Sequence, residues 1–132
     1  MTTFPERLGI TGVSPDEALR PGDDAGRALT VTDDLINING GLHGGVVATM
    51  LDATMGDAVR DGLEEDQSTV TVSMTVTYLE GAKKGDELRS SAEVRKRGGK
   101  LVLVEADITR ASDDAAIAHG VGTFTIIEKS HD

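Results

Sequence analysis

The sequence predicts a single α+β domain in which an antiparallel sheet of five to six strands wraps around one long central helix. Three observations predict it: a chain of only 132 residues, one helical stretch that is nearly free of charge, and several segments whose apolar residues alternate. A chain of this length suits one domain with its own core. We therefore expect one domain over residues 1–132, with residues 1–25 as an N-terminal segment.

The part of the chain before the long helix is rich in turn-forming residues. In Ser14–Leu19 (SPDEAL), a serine precedes proline and is followed three residues later by glutamate. This spacing predicts a short capped helix. Residues 27–32 alternate weakly and predict a first strand, and the glycine- and asparagine-rich residues 33–45 predict a loop.

The long helix is predicted over residues 44–62. Its apolar residues and one threonine recur at the spacing of a helix and not of a strand, at Val47, Met50, Leu51, Thr54, Met55 and Ala58. The charged residues of this stretch are concentrated after position 56. A helix so poor in charge is expected to be enclosed on most sides.

Four further strands are predicted, over residues 69–78, 87–97, 100–110 and 115–128. The first of them alternates apolar residues with hydroxyls, which predicts an apolar face and a hydroxyl face. Gly98–Gly99 and residues 112–114 are typical turn sequences. Short turns between consecutive strands predict an antiparallel meander.

Composition excludes several classes of function. The formal net charge of -10 disfavours binding to nucleic acid, because the field of the molecule repels phosphate. The chain has no cysteine, so disulfides and thiolate metal sites are excluded, and its three scattered histidines form no metal motif. We expect no metal or cofactor, no signal peptide, no membrane span and a cytoplasmic location. The acidic surface reflects either a high-salt host or an ordinary acidic protein.

The segment Asn37–Val59 carries the chemistry. His43, Gly44 and Gly45 lie where the loop becomes the helix, and Asp52 lies within the uncharged helical run. The first N–H groups of a helix lack partners, and glycine allows a ligand to approach them, so this start can hold an oxyanion or a polarised carbonyl. Asp52 could then act as nucleophile or general base. The alternatives are a tight helix entry and a paired structural carboxylate.

Spacing along the helix predicts a shared site. Gly44 and Asp52 are eight residues apart, which is about 12 Å along a helix. Reacting atoms must lie about 3–3.5 Å apart, so one chain cannot bring both residues to one carbonyl. If both serve one reaction, they come from two subunits of a homodimer with two shared sites.

The pattern N-x-x-G-x-x-H-G-G, followed by an aspartate seven residues later, resembles a known family. Here it reads Asn37, Gly40, His43, Gly44, Gly45 and Asp52. It is similar to the hotdog-fold acyl-CoA thioesterases of the phenylacetic-acid-degradation (PaaI-type) branch, and the resemblance extends over residues 25–128. It implies a hotdog fold, assembled as dimers and usually tetramers.

The resemblance also implies an activity and roles. The substrate would be an aryl- or short-to-medium-chain acyl-CoA, hydrolysed to free acid and CoA. Gly44 would polarise the thioester carbonyl through its N–H, and the partner's Asp52 would attack or activate water. Asn37 would orient the water or the thioester, and His43 would support the loop. Thr71 falls where a family hydroxyl helps to place the nucleophile; alternatively, it is one of several solvent-facing hydroxyls.

An acidic protein that binds CoA needs a local basic patch. Arg95, Arg97 and Lys100 flank the Gly98–Gly99 turn, and alternation would put the two arginines on one face. These three residues are the candidates for contacts with CoA phosphates, and Gly45 is a candidate for substrate contact. The alternative for the basic residues is a solvated hairpin tip.

Two other functions remain open at this point, because a fold does not determine a function. One is a non-catalytic acyl-CoA-binding hotdog module or ligand sensor. The other is a structural oligomer with a vestigial site.

Overall fold

The fold was obtained as a computed structural model, and it describes residues 2–13 and 23–129. The short helix predicted at Ser14–Leu19 lies outside the described residues. The elements in chain order are α1 (Phe4–Arg7), β1 (Thr11–Gly12), β2 (Ala25–Thr30), a 3-10 turn (Asp33–Leu35), α2 (Gly44–Arg60), β3 (Gln67–Tyr78), β4 (Glu87–Arg97), β5 (Leu101–Arg110) and β6 (Ala116–Glu128). Each predicted strand is present, with its ends shifted by a few residues.

The six strands form one antiparallel sheet in the order β1-β2-β4-β5-β6-β3. The α+β prediction of a sheet around one helix is therefore confirmed. The prediction of a four-strand meander is wrong, because only β4, β5 and β6 are joined in that way. Residues 79–86 are too long for a tight hairpin, and they carry the chain from β3 at one edge across to β4. β3 instead pairs with β6.

Helix α2 supplies one side of the core and the concave face of the sheet supplies the other. Ten of its seventeen residues are buried, which confirms the prediction of an enclosed helix. Met50, Leu51 and Met55 have no exposed surface. They pack on strand residues such as Val104 and Phe124, which belong to the same buried cluster. Burial of apolar surface of this kind is the main stabilising contribution to the fold.

A bulge in β3 changes which side chains face the helix. The register with β6 shifts between Thr71 and Ser73, so Val72 is an extra residue. Thr71 pairs with Phe124, whose side chain is buried, and both face α2. Val70 is 46% exposed on the opposite face. The prediction that one face of this strand is apolar and the other carries the hydroxyls is therefore wrong. Before the bulge the hydroxyls face the helix, and after it the apolar side chains do.

A second bulge, in β4, corrects the prediction that Arg95 and Arg97 share one face. The register with β5 shifts between Val94 and Lys96, so Arg97 pairs with the buried Val102 and turns toward the helix. Arg97 Nη2 donates to the carbonyls of Ala58 (3.2 Å) and Val59 (3.4 Å). A cation at these last carbonyls stabilises the C-terminal end of α2.

Arg110 links the β3–β4 connection to the β5–β6 turn at one end of the sheet. Its guanidinium donates to Asp113 (3.0 Å), Asp86 (3.2 Å) and Glu80 (3.2 Å). The hydrogen bond from Arg110 lowers the pKa of Asp113. The N–H of Lys83, and after it Arg110, lower the pKa of Asp86. These carboxylates therefore stabilise the fold in their charged forms.

We expect Arg110→Gln to lower the urea midpoint of unfolding at pH 7, and the difference from the wild type to shrink under acid. A carboxylate whose folded pKa is depressed contributes stability above its unfolded pKa of about 3.9, and that contribution is lost as pH falls through the folded value. Urea titrations at neutral pH and at about pH 3 measure this. Lys129→Gln, which removes an exposed cation, is the control. A difference that is the same at both pH values would contradict the prediction.

Candidate active site

The site is organised by the start of α2, where Gly44 is the first helical residue and His43 is the N-cap. His43 Nδ1 accepts a hydrogen bond from the N–H of Gly45 (2.9 Å). Gly44 is half-buried, and its N–H donates to no acceptor among residues 2–13 and 23–129. The first N–H of the helix is therefore available to an oxygen of a ligand, and it carries the partial positive charge of a helix N-terminus.

Tyr78, at the end of β3, fixes the orientation of this peptide. Its hydroxyl donates to the carbonyl oxygen of Gly44 (2.9 Å). A Cβ at position 44 would lie 3.3 Å from that hydroxyl oxygen, which is why the smallest residue fits here best. Tyr78 was not among the site residues predicted from the sequence. The available signal was its position on the face of β3 that holds Met74 and Val76.

Asn37 begins the loop before the helix and holds its shape. Its side-chain oxygen accepts from the N–H groups of Asn39 (2.9 Å) and Gly41 (3.2 Å). Gly40 has φ of 83°, a conformation that favours glycine. The oxygen of the Asn37 amide is thus engaged within the loop, and its NH₂ group is the part that can donate to a ligand or water.

Asp52 lies two helical turns beyond Gly44 on α2 and is half-buried. Its Oδ1 accepts a short hydrogen bond from the Thr71 hydroxyl (2.6 Å). In the described part of the chain it has no ion-pair partner within 4.0 Å. The carboxylate is therefore neither neutralised by a cation nor freely rotating, and its second oxygen is available for chemistry. The β3 bulge is what turns Thr71 toward it.

Gly44 and Asp52 do not meet within one chain. They are the first and ninth residues of the same continuous helix, so about 12 Å of helix axis separates them. The predicted residues thus form two groups. Asn37, His43 and Gly44 lie at the start of α2, and Asp52 and Thr71 lie together farther along it.

A groove runs along α2 past Asp52. It has a volume of about 780 Å³, and helix residues such as Thr49, Asp52 and Gly56 form its floor. Thr71 of β3 and Phe4 of α1 are among the residues of its walls. Its size suits a small-molecule ligand. Asp52 is therefore positioned to act on a group bound in this groove.

The basic residues predicted to contact CoA lie elsewhere. Arg95 forms exposed ion pairs with Glu93 (3.5 Å) and Glu105 (3.9 Å). Lys100 is exposed in the β4–β5 turn, and the guanidinium of Arg97 is bound to the end of α2. None of the three lines the groove of Asp52. Their role in binding CoA stays a prediction.

Among the described residues, no group of three or more histidine, aspartate or glutamate side chains could hold a metal ion. Within those same residues, no helix has the length and apolar character needed to cross a bilayer.

Comparison with known proteins places this geometry in a family. The family model described as the thioesterase superfamily matches residues 39–117. Acyl-coenzyme A thioesterase 13 of Mus musculus is 33% identical over 92 residues, which are 70% of this chain and 65% of that protein. This chain thus matches slightly less than two thirds of that relative's length.

Solved structures give the same result for the whole fold. A phenylacetic acid degradation-related protein of Ralstonia eutropha has a TM-score of 0.78 and 26% identity, covering 91% of this chain and 86% of its own. A Bacillus halodurans protein solved with CoA has a TM-score of 0.72 and 27% identity, covering 77% and 66%. The hotdog architecture, the helix start and the family match together show that this chain belongs to the thioesterase superfamily.

Proposed function

We propose that this protein hydrolyses an aryl- or short-to-medium-chain acyl-CoA to the free acid and CoA. The observation that carries the proposal is the pairing of an unpartnered helix N–H at Gly44 with a half-buried carboxylate at Asp52 that has no counter-cation in the described chain. The first group stabilises an oxyanion and the second supplies or activates a nucleophile. The CoA bound to the similar Bacillus halodurans protein supports this class of substrate.

The reaction proceeds by addition and elimination at the thioester carbonyl. Asp52, or a water that Asp52 deprotonates, adds to the carbonyl carbon, and the Gly44 N–H stabilises the resulting oxyanion. The C–S bond then breaks, and the CoA thiolate leaves and takes up a proton. If Asp52 itself adds, water hydrolyses the acyl-aspartate anhydride in a second step.

The other predicted residues have supporting roles in this proposal. The Thr71 hydroxyl holds Oδ1 of Asp52 and leaves Oδ2 to react. The Asn37 NH₂ group orients water or the thioester, and His43 shapes the helix start through Gly45. Gly45 contacts the substrate, and Arg95, Arg97 and Lys100 are candidates for CoA phosphates, with Arg97 already engaged at the C-terminal end of α2. We expect the protein to act in the cytoplasm.

We further propose a homodimer with two shared sites. The separation of Gly44 from Asp52 requires the N–H of one chain to face the carboxylate of another. β3 is an edge strand of twelve residues, and its exposed Val72 (57%) is typical of an edge that pairs with another copy. Exposed Leu101 and Leu103 on the outer face of the sheet favour a second contact that builds a tetramer.

Release of free thiol from a panel of acyl-CoA thioesters tests the proposed activity. We expect catalytic thiol release with at least one aryl or short-chain member. Saturable binding of every member without thiol release would instead support the alternative of a non-catalytic acyl-CoA-binding module or ligand sensor. Isothermal titration calorimetry on the same panel measures that binding.

Mixing two inactive variants tests the shared site. Asp52→Asn removes the carboxylate, and Gly44→Pro removes the N–H at the first helical position, where proline is tolerated. In a mixed dimer one site regains both groups, so we expect an equimolar co-refolded mixture to recover about a quarter of the wild-type activity.

Gly44→Ala, which keeps the N–H, is the control for the substitution at position 44. No recovery of activity, with mixed dimers verified by differential tagging and native mass spectrometry, would contradict the shared site.

A further inference from the structure

The groove that holds Asp52 continues toward the C-terminal end of α2, where charged side chains line it. Arg27 of β2 and Asp57 and Arg60 of α2 lie there. Asp57 and Arg60 follow Asp52, Ala53 and Gly56 along one face of the helix, since these positions repeat at helical spacing. Any acyl group that reaches past Asp52 therefore meets this cluster.

Within the cluster, Asp57 is fully engaged. Arg27 Nε donates to Oδ2 (2.7 Å) and Arg27 Nη2 donates to Oδ1 (3.0 Å), a bidentate pair. This hydrogen bonding raises the pKa of Arg27. Arg60 Nη2 donates to the same Oδ1 (2.9 Å). Two guanidinium groups thus share this carboxylate, and Glu6 of α1 is close enough to Arg27 to raise its pKa as well, so the charges of this cluster are balanced.

The guanidinium of Arg60 has N–H donors beyond the one that binds Asp57. Its side chain is 48% exposed, and Asp57 is its one ion-pair partner among the described residues. A guanidinium carries five N–H donors. A Cβ at Gly56 would lie 3.2 Å from Nη2 and 3.4 Å from Nη1, so the guanidinium lies directly over the bare backbone of Gly56. The missing side chain at position 56 gives Arg60 its place in the groove.

The distance from the reacting carboxylate to this cation sets the length of the acyl group. Gly56 is four residues beyond Asp52, which is about 6 Å along the helix. An extended chain advances about 1.2 Å per bond, judging from the span of an extended backbone, so about five bonds cover that distance. In a five- or six-carbon acyl group, the carbon farthest from the thioester therefore reaches the Arg60 guanidinium.

We propose that the preferred substrate is the CoA thioester of a dicarboxylic acid of five or six carbons, with its free carboxylate bound by Arg60. This inference rests on the proposed function and names its substrate class. A carboxylate matches the planar donors of a guanidinium, and it gives a charged partner to the Arg60 donors that Asp57 leaves unused. A purely hydrocarbon acyl group would instead cover Arg60 without giving its donors a partner, which is unfavourable.

Paired substrates of equal length test the inference. We expect a higher kcat/KM for glutaryl-CoA and adipyl-CoA than for pentanoyl-CoA and hexanoyl-CoA. In Arg60→Gln the ratio between the members of each pair is expected to fall by about tenfold to a hundredfold, as when a hydrogen bond to a charged group is lost. Lys129→Gln, which removes an exposed cation outside the groove, should leave that ratio unchanged.

The outcomes separate this inference from the proposed activity. Hydrolysis of the neutral acyl-CoAs with no preference for the dicarboxylic ones, or a ratio that Arg60→Gln does not change, would overturn the inference and leave the thioesterase activity standing. Release of thiol from no acyl-CoA at all would overturn both. A preference that disappears in Arg60→Gln and returns in Arg60→Lys would support the bound carboxylate.

Discussion

Asp52→Asn is expected to lower kcat for acyl-CoA hydrolysis by about 10²–10⁴-fold, the contribution that a positioned acid or base makes. The amide has nearly the same shape as the carboxylate. Its oxygen can still accept the hydrogen bond that Thr71 donates to Asp52 in the wild type (2.6 Å). The fold should therefore survive while the nucleophile or base is lost. Steady-state thiol release and the urea midpoint, measured on the same sample, check both parts.

The matched control is Asp61→Asn, at the C-terminal end of the same helix. Asp61 is exposed and lies outside the lining of the groove. It carries the same change in charge, and we expect it to keep full activity. Equal losses in the two variants would mean that net charge, rather than the position of Asp52, governs turnover.

A single turnover in water labelled with ¹⁸O distinguishes the two roles of Asp52. Direct attack by the carboxylate gives an acyl-aspartate whose hydrolysis can leave the label in the protein. Activation of water puts the label into the acid product alone. Mass spectrometry of the peptide that contains Asp52 reads the result.

Phe124→Ala is expected to destabilise the protein by about 3–5 kcal/mol, the cost typical of truncating a buried phenylalanine. Phe124 is 2% exposed, lies opposite Val102 in the sheet and belongs to the buried cluster around α2. Its ring is so closely packed that a Cβ at Gly122 would come within 2.9 Å of it. Urea unfolding at a fixed protein concentration measures the loss.

The chain offers one matched control, because Phe4 is its only other phenylalanine. Phe4 also lines the groove but is 60% exposed. Removal of an exposed side chain usually changes stability by no more than about 0.5 kcal/mol, so Phe4→Ala should unfold at nearly the wild-type midpoint. A comparable loss in both variants would show that the core is not centred on Phe124.

The sequence was enough for the element order because the helix and strand periods differ clearly. Met50, Leu51 and Met55 repeat at helical spacing and are all fully buried. Sheet order was harder, since local spacing says nothing about which strands pair. Residues 79–86 could have been a hairpin turn, and only the packed fold shows that they cross between two separate strands.

The candidate site was predictable in part for a similar reason. Gly44 and Asp52 stood out because a glycine pair and a lone acid are unusual in an apolar helix. Arg60 and Tyr78 did not stand out, because their roles arise from contacts with Gly56 and with the Gly44 carbonyl. The exchange of faces at Val72 was also hidden, because a bulge adds a residue without breaking an alternating sequence.

The extra residue in β3 has a practical consequence for engineering. On its N-terminal side, threonines face the helix, and on its C-terminal side, Met74 and Val76 do. Deletion of Val72 would close the bulge and leave Thr71 and Met74 both facing the helix, whereas a strand that kept Val72 without the bulge would turn one of its halves over. Libraries that vary residues 73–77 in place keep the register of Thr71, whose hydroxyl supports the Asp52 carboxylate.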